Sequence, residues 1–400
     1  MKIPFKIIVS VAAVLAVAAC NAGGISSLPG TAQPSAAQTG YVPQWEAKHL
    51  ARRVCNDDRL GYMNCDVLLP ATGGFGPNIS GWTAPELQAR YNLPSDKKGA
   101  GQVVAIVDAF DNPNVLSDIN FYRKQFNLGT AKIKKYNQEG QQKNYPQGSP
   151  HWGVEIDLDV EMVSASCPKC SIILVEANSN SGNDLYASEV EAAKLGAKII
   201  SNSWGGGGGS PSGGSFDQKG ILYLASAGDY GYGPQDPADY STVVAVGGTV
   251  LSGSGKNYNE IVWPDSGGGC SVVMKPSWQK DPKCKNRLEN DLSAVAVSVA
   301  EYDTYSQNGW IAPSGTSISS PLVAGMYGLA ENSTKQDAAE RLWGLSKPDV
   351  KKDFHYVKFG ELGGCPKNYL NTYICKAGTK QFGTYSGGSG WGTPNGVGAL

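Results

Sequence analysis

Ser314-Gly315-Thr316-Ser317-Ile318-Ser319-Ser320-Pro321 runs directly into residues 322–330, a small and apolar stretch with the pattern of a helix. That order places Ser317 at a helix N-terminus, where free backbone N–H groups and the helix dipole favour a developing negative charge. A serine so placed reads either as a cap or as a nucleophile, and a nucleophile needs a base. Of the three histidines, His49, His151 and His355, His151 is the one near a helix start. Four residues later begins Glu155-Ile156-Asp157-Leu158-Asp159-Val160-Glu161. Glu155 and Asp159 share one helical face. Exposed, such a pair is a solvated acidic face, to which Asp157 and Glu161 add; buried, it can share a proton, with the apparent pKa values split and one of them raised. Two further acids close strand-like runs: Asp108 ends residues 102–108, and Asp229 sits in the glycine turn Gly228-Asp229-Tyr230-Gly231 after Tyr223-Leu224-Ala225-Ser226.

The elements that must position these groups alternate. Apolar periodicity predicts helices over 84–91, 114–126, 154–165 and 184–195. Strands are predicted over 102–108, 171–176, 198–203 and 222–226. Short apolar strands alternating with helices argue for an α/β domain on a buried parallel sheet. A chain of 400 residues with 41% hydrophobic and 17% charged side chains is compact and not disordered, and its 51 glycines make it loop-rich. With 34 basic and 35 acidic side chains the net charge is −1, which excludes nucleic acid as the main partner. The run Gly205–Gly209 is no phosphate loop, since neither Gly-Lys-Ser/Thr nor a helical pattern follows it.

Gly-Thr-Ser-x-x-x-Pro before a small-residue helix resembles the nucleophile segment of subtilisin-like peptidases. None of the histidines has the His-Gly-Thr setting of their base, and the turn that carries their oxyanion-binding Asn has Asp229 here. An ionised Asp would repel an oxyanion, so it serves only when protonated. A carboxylate base in place of imidazole points to the same acid range, in which a histidine base is disabled. Over residues 81–400 the chain is similar to the sedolisin family, the serine-carboxyl peptidases, and to its bacterial branch with a short N-terminal region. The likeness rests on the segments at 81–94, 104–113, 201–205, 244–249, Val262-Trp263 and 392–396, with Glu155, Asp159, Asp229 and Ser317 in order. It implies a single large catalytic domain with a subtilisin-like parallel sheet and helices on both faces. The roles implied are Ser317 nucleophile, Glu155 general base and acid, Asp159 its hydrogen-bonded partner and Asp229 protonated oxyanion donor. Substrates would be proteins or peptides, cleaved within the chain at acid pH. Two alternatives stay open: a conventional triad of Asp108, His151 and Ser317, and a catalytically idle surface protein that binds peptides in the same cleft.

The chain departs from the family in two places. Sedolisins carry a large folded propeptide, whereas about 60 residues separate Cys20 from Gly81, so activation by propeptide removal is not expected. The family also holds a structural calcium near its C-terminus. The corresponding positions read Thr384-Tyr385-Ser386 and Tyr356, with Asp353 the nearest acid, so a full calcium site is not expected; no cofactor is needed for the chemistry. Cys365–Cys375 would brace that loop instead.

Residues 1–19 have the basic start and short apolar run of a signal peptide. Val17-Ala18-Ala19-Cys20 resembles a bacterial lipobox, which would make Cys20 the lipidated first residue of an exported protein; the alternative is ordinary cleavage and free secretion. Residues 20–44 read as a flexible tether and 45–80 as a short Cys-bracketed segment. Beyond Cys20 eight cysteines remain, an even number suited to disulfides. Spacing suggests Cys55–Cys65, Cys167–Cys170, Cys270–Cys284 and Cys365–Cys375. Cys167-Pro168-Lys169-Cys170 closes a helical pattern and does not open one, which favours a structural bridge over a redox motif.

Overall fold

A computed structural model of the chain describes residues 41–72, 75–206, 214–255, 257–332 and 338–400. The signal-peptide and lipobox readings at 1–20, and the tether as far as residue 40, lie outside the described residues. Where the described chain begins it is already held: Tyr41 Oη and the Gln44 N–H both donate to Asp265 Oδ1, at 2.5 and 2.8 Å. The last residues of the expected tether, 41–44, are thus tied to Asp265. Among the described residues no helix is long and apolar enough to cross a membrane.

The central sheet has eight strands. In chain order the elements used below are α1 (Gln44–Ala47), β1 (Ala51–Arg53), β2 (Asn64–Cys65), β3 (Leu68–Pro70), α2 (Ala84–Arg90), β4 (Val103–Ala109), α3 (Val115–Gln125), β5 (Ile133–Asn137), α4 (Pro150–Ser166), β6 (Ser171–Ala177), α5 (Gly182–Lys194), β7 (Ile199–Asn202), β8 (Trp204–Gly205), β9 (Leu222–Ser226), β10 (Val243–Ser252), β11 (Asn259–Val262) and α6 (Thr316–Ala330). The sheet runs β11-β10-β9-β7-β4-β6-β5, with Leu292–Val295 also paired to β10. All its pairings are parallel except β10 with β11. Strand β4 shows why: the unbroken apolar run Val103-Val-Ala-Ile-Val107 suits a strand covered on both faces.

The predicted strands and helices of the sheet are present, with shifted ends. Helix α4 begins at Pro150, four residues before the predicted start, because the Ser149 side chain caps it from Trp152 N–H and Pro150 occupies its first turn. It ends at Cys167, bonded to Cys170. The disulfides are the pairs that spacing suggested.

The Cys-bracketed segment is woven into the rest of the fold. Strand β1 pairs antiparallel with β3, and Cys55–Cys65 ties the two limbs of the loop between them. Strand β2 pairs antiparallel with β8, Cys65 facing Trp204. Three residues further on, Leu68 and Ser314 exchange backbone hydrogen bonds of 2.7 and 2.9 Å. Residues 64–68 thus lie as one extended strand between β8 and the approach to α6.

Candidate active site

Ser317 is the second residue of α6 and is wholly buried. The helix begins on a tertiary cap: Asp229 Oδ1 accepts from the Thr316 N–H at 2.8 Å and from its hydroxyl at 3.0 Å. Gly315, the residue before, has φ 140°, and a Cβ there would lie 2.1 Å from the Asp66 carbonyl oxygen and 2.8 Å from Asp229 Oδ2. Only glycine meets both demands. Pro321 lacks the N–H that would bond the Ser317 carbonyl. That carbonyl accepts from Ser203 Oγ at 3.4 Å instead. Ser317 Oγ in turn donates to the Ser203 carbonyl at 3.1 Å.

Helix α4 lies against α6 and presents four acids, Glu155, Asp157, Asp159 and Glu161, none with any exposed surface. The solvated acidic face is thereby excluded. The acids divide between two faces. Asp157 and Glu161 point away from Ser317: Asp157 accepts from Asn112 Nδ2 at 2.7 Å, and Glu161 Oε2 from the Tyr302 N–H at 3.0 Å. Glu155 and Asp159 face the serine. Neither has a hydrogen bond of good geometry, yet the Ser317 hydroxyl is close enough to Glu155, and the Ser203 hydroxyl and Glu155 close enough to Asp159, to favour their charged forms. Burial outweighs this and holds both carboxyls well above the usual range. Asp159 and Asp108 raise Glu155 further, and Asp108 raises Asp159. Burial and mutual repulsion thus oppose ionising both acids together, the condition under which a pair shares a proton and titrates as a unit.

Asp108, next to last in β4, lies beside this pair with its two carboxyl oxygens buried and unpaired, and burial pushes it up to about 8. It does not serve a histidine. His151 is exposed, one turn before Glu155, and forms no hydrogen bond or ion pair with Asp108 or Ser317. His49 is exposed, and His355 pairs in the short strand Phe354–His355 with Thr393–Pro394. The structure brings together Ser317, Glu155, Asp159 and Asp229, adds Asp108, and leaves out the imidazoles.

Asp229 turns its second oxygen, Oδ2, into the site, buried and without a partner. Burial, then the Asp66 carboxyl, holds Asp229 well above the usual carboxylate range; the two Thr316 donors oppose them. In its protonated form it is an O–H donor aimed at the space before Gly315. Asp66, which spacing gave no reason to select, fills that space. Its carbonyl accepts the Ser317 N–H at 3.1 Å, and its own N–H donates to the Ser203 carbonyl at 3.1 Å. Its side chain is buried between Ser226 Oγ, 2.6 Å from Oδ2, and the Gln235 amide. The one sequence signal is position: Asp66 follows Cys65 immediately.

Thr384-Tyr385-Ser386 offers no carboxylate, Ser386 Oγ lies 2.7 Å from Ser389 Oγ, and the Tyr385 hydroxyl donates to the Asn290 carbonyl. A donor set of another kind occurs on the far face of α4, where Asp118, Asp157 and Asp303 each bring a carboxylate oxygen within 4.8 Å of the others.

Comparison with known proteins places residues 99–351 in the subtilase family. Thermitase of Thermoactinomyces vulgaris is 30% identical over 179 residues, 42% of this chain and 53% of that protein. Subtilisin DY of Bacillus licheniformis is 28% identical over 166 residues, 40% of this chain and 54% of its own. Tripeptidyl-peptidase 1 of Rattus norvegicus is 26% identical over 204 residues, 44% of this chain and 36% of its own. The chain thus spans about half the length of these relatives or less. Among solved structures, Pseudomonas sedolisin, a serine-carboxyl proteinase complexed with two molecules of pseudo-iodotyrostatin, aligns with a TM-score of 0.63 over 80% of this chain and 96% of its own, at 22% identity. That likeness is one of fold.

Proposed function

The chain belongs to the subtilase family, and on that premise we propose that it is a serine-carboxyl peptidase that hydrolyses internal bonds of proteins or peptides at acid pH. The observation that carries the reading is the setting of the Ser317 hydroxyl: it faces a wholly buried carboxyl pair, Glu155 and Asp159, and no imidazole. Ser317 Oγ attacks the scissile carbonyl while Glu155 takes its proton. Asp159 holds the shared proton against Glu155 and so keeps one negative charge on the pair. The oxyanion is received by the Ser317 N–H and the protonated Asp229 carboxyl. Glu155 returns the proton to the leaving amine, and water reverses the sequence on the ester.

Acid operation follows from the donors. Asp229 must be neutral, and the pair must retain one proton and no more, so activity falls on both sides of an optimum. The test is a pH–rate profile on a denatured protein for the wild type, Glu155→Gln and Asp229→Asn. A wild-type optimum near neutrality, with Glu155→Gln fully active, would transfer the base role to His151. Labelling by a serine-directed or peptide-aldehyde probe, lost in Ser317→Ala, separates an enzyme from an idle peptide-binding protein. Export follows from the N-terminal run and the disulfides, with attachment to the membrane through a lipid on Cys20. A globomycin-sensitive mass shift is expected, and its absence would leave a freely secreted enzyme.

A further inference from the structure

Building on that reading, we propose that the disulfide-closed loop 51–70 is bound in the cleft as the enzyme's own first substrate, with Asp66–Val67 the bond presented to Ser317. The strand through the cleft makes the contacts a scissile segment requires. The Asp66 carbonyl oxygen receives the Ser317 N–H and crowds the same point in front of Gly315 as the free Asp229 Oδ2. On the N-terminal side, Asp66 N–H bonds the Ser203 carbonyl and β2 pairs with β8. On the C-terminal side, Leu68 and Ser314 bond each other in both directions. Contacts on both sides fix the register, and the carbonyl between them lies in the oxyanion site.

The flanks are rigid in the manner of a tight-binding ligand. Strand β1, before the bond, pairs with β3, after it, and Cys55–Cys65 closes the loop one residue before Asp66. Further back, Trp45 Nε1 donates to the Asp229 carbonyl at 3.1 Å. Such preorganisation removes most of the ordering cost of binding.

The side-chain pocket beside the bond also has a stated chemistry. Asp66 Oδ2 accepts from Ser226 Oγ and from Gln235 Nε2, and the Gln235 amide also reaches the Ser226 carbonyl at 3.2 Å. Gln235 packs where a Cβ on Gly205 or Gly228 would stand, so those glycines make room for it. A long apolar side chain would leave these buried donors unpaired. The pocket therefore selects a short carboxyl or carboxamide side chain on the residue that contributes the scissile carbonyl.

In the reaction, Ser317 Oγ bonds to the Asp66 carbonyl carbon as its proton passes to Glu155. The Asp66–Val67 C–N bond breaks, and Glu155 gives the proton to the Val67 amine. Water then hydrolyses the Asp66 ester, restoring the serine and leaving a carboxylate on Asp66. Cys55 and Cys65 both precede the cut, so no disulfide joins the two products.

The test uses the purified full chain, wild type and Ser317→Ala, brought to acid pH and followed by intact mass and N-terminal sequencing under denaturing, non-reducing conditions. The expected result is a new N-terminus at Val67 in the wild type, formed at a first-order rate independent of protein concentration, with Ser317→Ala left whole. Asp66→Leu is expected to slow conversion about tenfold or more, and peptides are expected to be cut faster after Asp than after Leu by a similar factor. A wild type that digests denatured protein while Asp66–Val67 stays intact would overturn this proposal and leave the peptidase reading standing. A wild type that neither cuts itself, nor digests denatured protein, nor takes a serine-directed probe would overturn both. Cleavage of Ser317→Ala at the wild-type rate, or of Asp66→Leu without slowing, would also sink it.

Discussion

Replacing Asp229 tests the acid mechanism at its most distinctive point. In Asp229→Asn the side-chain oxygen can still accept from Thr316 N–H and Oγ1, as Oδ1 does now at 2.8 and 3.0 Å, so the start of α6 keeps its cap. The amide supplies a donor at every pH, whereas the carboxyl supplies one only while protonated. Burial and the Asp66 carboxyl raise Asp229, and above that raised value the fraction of competent wild type falls about tenfold per pH unit. The ratio of Asn variant to wild type should therefore climb with pH along the alkaline limb, until the Glu155/Asp159 pair limits both. Asp229→Ala removes the donor outright and should lower kcat by about 10²–10³-fold, or ~2.7–4 kcal/mol. The assay is kcat and kcat/KM against pH on a peptide cut in trans, with circular dichroism to confirm the fold. Parallel alkaline limbs for wild type and Asn, together with an alanine loss below about tenfold, would refute the assignment of Asp229 as the oxyanion donor.

Three further outcomes follow. Glu155→Gln should lose about 10²–10⁴-fold in kcat with an intact fold, whereas His151→Ala, at an exposed site, should change it little; the reverse pattern would reinstate an imidazole base. Asp108, Glu176 and Asp66 are raised by burial to about 8, 9 and 7, and Glu155, Asp159, Glu161 and Glu301 are raised well above their usual values for the same leading reason. Their folded pKa values exceed the unfolded ones, so the stability they contribute is complete below about pH 4 and drains as pH rises through the raised values. Melting of Ser317→Ala should accordingly occur at lower temperature at about pH 8 than at about pH 4, and a rising Tm would contradict it. Gly315→Ala forces a left-handed backbone on alanine and drives its Cβ into the Asp66 carbonyl; a loss of about 1–3 kcal/mol in unfolding free energy is expected by denaturant titration, and a neutral result would mean that the backbone there relaxes freely.

How much of this was legible in the sequence depends on how local the signal is. Ser317 before a small-residue helix, and Glu155 four residues from Asp159, are statements about a single helix each, and they hold. The alternation that gave the parallel sheet is local in the same sense. Strand β5 escaped because Lys134 and Lys135 break its apolar pattern; the buried Lys135 is accommodated by Asp111 and Glu176, partners distant in the chain. The early start of α4 was written in Ser149-Pro150, a cap and first-turn proline outside the apolar period. Asp157 and Glu161 read as solvent-facing because acids in a helix ordinarily are, and only the packing of α3 and the strand Glu301–Asp303 over that face buries them. Beyond its place next to Cys65, Asp66 carried no local signal, since what matters is the pairing of its neighbours with Trp204 and Ser314, both far along the chain.

The number of buried acids ties the site to its surroundings. A helix that buries Glu155, Asp157, Asp159 and Glu161 gains nothing from four charges in a low-dielectric interior, and the described residues place no arginine or lysine in hydrogen-bonding contact with any of them. Such an interior is cheapest where carboxyls are neutral. On the proposed mechanism the same acid conditions protonate Asp229 and leave a single charge on the Glu155/Asp159 pair. They also suit Asp66, whose buried carboxyl is held in its pocket by two neutral donors and no cation at hydrogen-bonding distance. On that reading the core, the proposed catalytic pair, the proposed oxyanion donor and the bound loop share one requirement. The proposed carboxylate base is then not an isolated exchange for histidine, because the acids packed around it favour the same pH range.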